Sequence, residues 1–316
     1  MFALNYINRH SAVFMVLACL FGFAWPDAAN AVLAHLPQVL FALMFFTLLG
    51  IPQPKLLRML SQLEVWRYAL LHSFGMTLVF VGAGYLLGIR GDLLLALAAM
   101  MATGALFGTP AIVRSIGFSP LYAMALTIAS TVVMPAILFI NLWLFQTGAV
   151  HLDLVLYSKR LLIFIAGPMV MSAVVHKLFS EHVLHHVHHQ MSKITIILVM
   201  AFPFGLVGAY RHFFDVNPAH GVFLLLMGAL VCFGLFALNF WIYRKAPIEH
   251  AISAAVASGG RNVLLTYTIA APFVGSEFML LVGAMQLPIY MLVDSSFGAA
   301  ACGVDVSACA VPMIRM

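Results

Sequence analysis

Two short stretches hold the residues whose types and spacing could do chemistry, and each interrupts a long apolar run. Gly108-Thr109-Pro110 lies in the middle of one run, and Ser258-Gly259-Gly260-Arg261-Asn262 in the middle of another. Glycine and proline break a helical hydrogen-bond ladder, and the residues after them restart it. Thr109 suits an N-cap, Pro110 the first helical position where no N–H is needed, and Asn262 the start of a second restarted helix. Open backbone groups cost several kcal/mol each in hydrocarbon, so such breaks persist only when buried in protein or lining a wet cavity. Ordinary packing glycines are the plainer alternative.

Arg261 follows the glycine pair directly. A guanidinium inside an apolar segment costs roughly 2.5–3.5 kcal/mol even on insertion scales, so it must face a cavity or a partner. No acidic residue lies deep in any run, and Asp294, toward the end of the last one, is the nearest. A guanidinium beside the positive end of a restarted helix forms an anion site. The substrate-binding set predicted on this basis is Thr109, Arg114, Gly259, Gly260, Arg261 and Asn262. Arg114, one turn past Pro110, either joins the site or snorkels to the surface. Pairing of Arg261 with backbone carbonyls is the structural alternative.

The elements that must position these residues follow from composition. Hydrophobic residues make up 64% of 316 positions and charged residues 8%, so a soluble fold would expose apolar surface over most of its exterior. The expectation is an all-α integral membrane protein with lipid as its solvent. Apolar runs near 12–26, 31–51, 66–88, 92–117, 119–146, 160–179, 193–214, 218–243, 249–272 and 275–297 give about ten transmembrane helices. The first run resembles a signal peptide, with Ala29-Asn30-Ala31 as its cleavage site, but it completes an even count and is read as a span. Lys and Arg fall mostly on the loops that share a side with the amino terminus, including Lys55, Arg58, Arg67, Lys177, Lys193, Arg244 and Lys245. Both termini are therefore expected in the cytoplasm, with the chain in the cell (inner) membrane. Ten spans divide into two five-helix units, 1–148 and 149–316, and an odd-numbered unit repeated once inserts upside down. Gly108 and Arg261 each precede a proline, Pro135 and Pro288, by the same interval.

The basic residues are scattered between runs, which excludes a phosphate-backbone surface and with it nucleic acid as a partner. No P-loop, HExxH or glycine-rich dinucleotide motif is present, so neither an enzyme nor a cofactor is expected. Cys19, Cys232, Cys302 and Cys309 read as free thiols. His182, His185, His186, His188 and His189 have a spacing compatible with metal but read as a polar segment near headgroups. His35 and His72 fall inside spans, where a proton relay or a satisfied structural histidine are the choices.

Taken in order, Trp25-Pro26-Asp27, Phe41 to Leu49, Gly108-Thr109-Pro110-Ala111, Tyr122 to Thr131 and Ser258 to Asn262 resemble the bile acid:sodium symporter family along nearly the whole chain. The resemblance implies a core of spans 3–5 and 8–10 moving against a panel of spans 1, 2, 6 and 7, with broken spans 4 and 9 crossing at the site. It implies alternating access. That family holds sodium with a Ser-Asn pair after the first crossing and with Glu and Gln at the second. Here those positions read Ala111-Ile112, or Thr109-Pro110, and Ala257 with Arg261. Thr127, Ser130, Ser258 and Asn262 are the remaining ion-coupling candidates. Arg261 then stands where the family places a cation, which implies an organic-anion carrier driven by protons, exchange or the anion gradient. An auxin-efflux-type carrier or antiporter of the same ten-helix plan, and a sodium-coupled symporter with unusual ligands, are the alternatives.

Overall fold

The computed structural model describes residues 11–49, 53–115, 118–145 and 153–291, and every regular element among them is helical. In chain order these are α1 (Ser11–Ala24), α2 (Pro26–Leu33), α3 (Leu36–Leu49), α4 (Gln53–Leu60) and α5 (Leu63–Leu86, with a π-turn at Leu71–Gly75). Next come α6 (Gly91–Ala102), α7 (Thr109–Ser115) and α8 (Pro120–Phe145). The long helix α9 runs Leu154–Leu161, passes a π-turn at Leu162–Ala166 and continues as Gly167–Leu178. The rest are α10 (Glu181–Val216), α11 (Pro218–Tyr243), α12 (Ile248–Gly259), α13 (Val263–Ala270) and α14 (Ser276–Met291).

Among the described residues, five helices are long and apolar enough to cross a membrane: α5, α8, α9, the second part of α10, and α11. Each matches one predicted span. The first two predicted spans differ, because Pro26 cannot continue α1 and the chain turns through 111° into α2. His35 consequently lies in the break between α2 and α3 rather than inside a span. Counting the bent pair as one span gives six. Shorter apolar helices α3, α6 and α14 account for the second, fourth and tenth runs, and α6–α7 and α12–α13 are the two interrupted ones.

Most of these helices are apolar on every side, so burial rather than amphipathicity marks the centre. In α6 the nine residues Leu94–Ala102 are all buried, and in α12 so are Ala251–Gly259. Small residues dominate Ala251–Gly259 and alanines recur through Leu94–Ala102, which lets backbones approach closely. By contrast Leu86, Leu226 and Leu230 are exposed, as lipid-facing side chains would be. α10 packs on α1, α2 and α3, and α9 packs on α3. This group meets the other helices through α14 against α10 and α1, and α13 against α3 and α9. Asn141 of α8 ties α5 and α6 together inside the second group, donating to Thr77 Oγ1 at 3.1 Å and to the Ala98 carbonyl at 2.7 Å.

Candidate functional site

The two interrupted helices meet. Between α6 and α7 the chain runs extended, and it pairs antiparallel with the break between α12 and α13 through a bridge of Ala105 with Arg261. Leu106 N–H donates to the Gly260 carbonyl at 2.7 Å, and Asn262 N–H donates to the Gly104 carbonyl at 2.8 Å. Each break thus supplies the hydrogen bonds that the other lost, which is how irregular backbone survives away from water. Ser130 of α8 closes the account by accepting from Ala105 N–H at 3.0 Å. Gly104 lets α8 pack closely, since a Cβ there would sit a tight 3.2 Å from the backbone of Thr131.

The helix restarts differ from each other. Asn262 caps α13, its Oδ1 accepting from Leu265 N–H at 3.2 Å. Thr109 does not cap α7. The Gly108 carbonyl already accepts from Ile112 N–H at 3.0 Å, so Gly108 holds the cap position and Thr109 the first helical one. The Thr109 hydroxyl is buried with no hydrogen-bond partner among the described residues.

Arg261 is completely buried at the crossing. Its Nη1 donates to the Met101 carbonyl at 2.6 Å and the Thr103 carbonyl at 2.9 Å, and its Nη2 to the His72 carbonyl at 2.8 Å. The carbonyls of Met101 and Thr103 are free because α6 ends there, and that of His72 lies in the π-turn of α5. The side chain therefore takes the backbone pairing that sequence offered as its structural alternative, and fastens α5 and α6 to the second crossing. A guanidinium carries five N–H donors. The Nε–H has no partner among the described residues, nor does Asn262 Nδ2.

Both residues line a cavity of about 20 Å³, room for one water. Leu40 and Leu43 of α3 and Phe202 and Leu206 of α10 wall it on one side, and Phe107, Leu264, Gln286 and Tyr290 on the other. It lies where the two helix groups meet.

Behind Arg261 is a second polar cluster. His72 Nε2 is 3.0 Å from the Thr103 carbonyl, which can only accept, so Nε2 carries the proton and Nδ1 is an acceptor. Nδ1 faces Ser258 Oγ at 3.0 Å and Tyr68 Oη at 3.0 Å, and those two hydroxyls are 3.2 Å apart. Thr266 Oγ1 donates to Thr103 Oγ1 at 3.0 Å nearby.

Of the predicted substrate-binding residues, Thr109, Gly259, Gly260, Arg261 and Asn262 gather at the crossing. Arg114 lies on α7, with its side chain outside the described residues. Of the ion-coupling candidates Asn262 lies in the crossing, and the hydroxyls of the others are engaged within the protein. Thr127 bonds the Ala123 carbonyl one turn back, Ser130 bonds Thr127 and Ala105, and Ser258 joins His72. Asp294, Cys302, Cys309 and the 148/149 boundary lie outside the described residues, as do the side chains of His182, His185, His186, His188 and His189. Among the described residues no His, Cys, Asp and Glu gather into a metal site. Tyr68, Thr103 and Gln286 were not singled out from the sequence. Their signal there was weak, since single polar residues in apolar runs are common. No protein-family model matches the chain, and no curated protein matches its sequence.

Proposed function

We propose that this chain is a secondary transporter of an organic anion, working by alternating access in the cell (inner) membrane with both termini cytoplasmic. In this reading ten membrane segments form two inverted five-helix repeats, and α5–α8 with α11–α14 move as a core against a panel of α1–α3, α9 and α10. The observation that carries it is the paired crossing at 104–106 and 260–262, with Arg261 buried in it and a cavity between crossing and panel. Interrupted helices that meet in the two halves of a chain are the form in which carriers expose a site to each side in turn. The order of elements supports the repeat: a long helix, an interrupted pair and a proline-bearing helix occur as α5, α6–α7 and α8, and again as α11, α12–α13 and α14. So does the resemblance to bile acid:sodium symporters.

The anion seats against the Nε edge of Arg261 and Asn262 Nδ2, two buried donors without an acceptor among the described residues. The cavity holds one water in this conformation, so a larger anion enters after α3 and α10 draw away from the crossing. Arg261, a cation fixed to three carbonyls, occupies the crossing itself, and sodium is not the driving ion.

A thermal-shift screen of the purified protein against organic anions, in sodium and in choline buffers, tests this. Binding at about 100 times Kd stabilises by roughly 2.7 kcal/mol. The expected result is a raised melting temperature with an organic anion, equal in both buffers. Saturable counterflow of that anion in proteoliposomes then separates a carrier from a channel. Stabilisation that needs sodium, or none with any organic anion, refutes the reading.

A further inference from the structure

The three-membered cluster of His72, Ser258 and Tyr68 is wholly buried and abuts Arg261, and the hydrogen bonds that fasten the crossing use the His72 carbonyl and Nε2 but leave Nδ1 to the two hydroxyls. Arg261 Nη1 and His72 Nε2 share one acceptor, the Thr103 carbonyl, and Arg261 Nη2 bonds the His72 carbonyl. The imidazole and guanidinium thus stand on two sides of one oxygen.

What distinguishes this histidine from a locked core residue is the chemistry around Nδ1. A hydroxyl both donates and accepts. With the imidazole neutral, Ser258 or Tyr68 donates to Nδ1. With Nδ1 protonated, the same hydroxyl oxygens accept from it, and Tyr68 O–H turns to the Ala254 carbonyl, already 3.3 Å away. Either charge state keeps its hydrogen bonds with no backbone movement. The π-turn that carries His72 is a feature often found where helices serve a site.

Charge decides when the proton arrives. Among the described residues no carboxylate is a hydrogen-bond partner of His72, and the full charge in contact with it is Arg261. Among the described residues, Tyr68 on its own helix, Tyr243 of α11 tilted against Tyr68 with ring centroids 5.9 Å apart, and Cys232 of α11 are the other titratable groups on this side. Further away, near the start of α5, Glu64 accepts from Tyr122 of α8 at 3.0 Å and pairs with His250 of α12 at 3.4 Å, while at His72 itself the end of α6 brings Thr103 and α12 brings Ser258. A second cation beside Arg261 is therefore unfavourable until a negative charge joins the site.

We propose that His72 is the coupling-proton site: it takes one proton from water on the side where an anion seats at Arg261 and Asn262, and returns it to water on the other side once the anion leaves. Only the Nδ1–H bond forms and breaks, and the aqueous phases are source and sink. This rests on the anion-carrier reading above and assigns its driving ion. Linkage makes the effect reciprocal: an anion that favours the proton is itself bound more tightly when the proton is present.

Benzenesulfonate and naphthalene-2-sulfonate are suitable probes, because sulfonates stay ionised and any proton taken up belongs to the protein. Calorimetric titration of the full chain in detergent, in two buffers of different ionisation enthalpy, counts that proton. The expected result near neutral pH is about one proton per sulfonate bound, with affinity rising about ten-fold for each unit of pH lowered. In His72→Asn both the uptake and the pH dependence vanish while binding persists. Should that variant fail to fold, Tyr68→Phe with Ser258→Ala keeps the imidazole but removes both acceptors, and uptake is again expected to be lost. Binding without proton uptake, or equal uptake in His72→Asn, overturns the coupling and leaves the carrier reading intact. Failure of both sulfonates to bind the parent protein overturns both.

Discussion

Replacing Arg261 tests the crossing most directly. In Arg261→Met the apolar stem is retained while three hydrogen bonds, at 2.6, 2.9 and 2.8 Å, disappear. Bonds with an ionised partner contribute about 1.5–3 kcal/mol each, offset in part because a buried guanidinium no longer has to be stripped of water. What is left is the cost of the buried Met101 and His72 carbonyls without the guanidinium and of a Thr103 carbonyl that keeps only His72 Nε2, and breaking a buried charged contact of this kind costs roughly 3–5 kcal/mol. For a chain of this size that corresponds to a fall in melting temperature on the order of 10 °C. The protein carries its own reporter, since Cys19 and Cys232 are buried and react with a thiol-specific fluorophore only on unfolding. The measurement is best made with Cys302 and Cys309 replaced by Ser, so that no other thiol contributes. Arg261→Lys, whose single ammonium reaches fewer of the three carbonyls, is expected to lose about half as much. A methionine variant melting within about 2 °C of the parent would refute the fastening role of the guanidinium.

Asn262→Asp keeps the cap on Leu265 N–H, because Asp and Asn cap equally well, so the variant should melt at or above the parent temperature. It turns the donor facing the cavity into a negative charge, and organic-anion stabilisation in the thermal-shift assay should vanish. Gly104→Ala places a methyl 3.2 Å from the Thr131 backbone, which cannot give way as a side-chain tip would, and should destabilise by about 1–3 kcal/mol in the same melt. Asn141→Leu removes two interhelical hydrogen bonds, worth about 0.6 kcal/mol each within a membrane, so a loss of roughly 1–2 kcal/mol is expected.

The interruptions were legible in sequence because Gly, Pro and Ser gather in mid-run; the second falls at Ser258-Gly259-Gly260 as expected, whereas the first spans 103–108 and Thr109-Pro110 already belong to α7. The cap at Asn262 was legible for the same reason. Thr109 was not: Gly108 and Thr109 are one residue apart, and which carbonyl opens the helix depends on how the preceding strand-like segment pairs with Gly260. The bend at Pro26 was not legible although the first apolar run ended there, since hydrophobicity reports solvent and not direction.

Arg261 marks the division between the two kinds of information. Its presence in an apolar run announced a buried site, because a charge among hydrocarbon must have company. Which company it keeps was settled by the ends of α6 and the π-turn of α5, far away in the chain, whose carbonyls happen to converge on Nη1 and Nη2. In the same way His72 was visible as a polar residue out of place, while its hydroxyl partners came from one turn earlier on α5 and from α12. Sequence determines where the helix ladder must fail and which side chains lipid will not accept. Only the packed chain decides how those failures are paired, because an unpaired carbonyl takes whichever donor the neighbouring helix brings within reach.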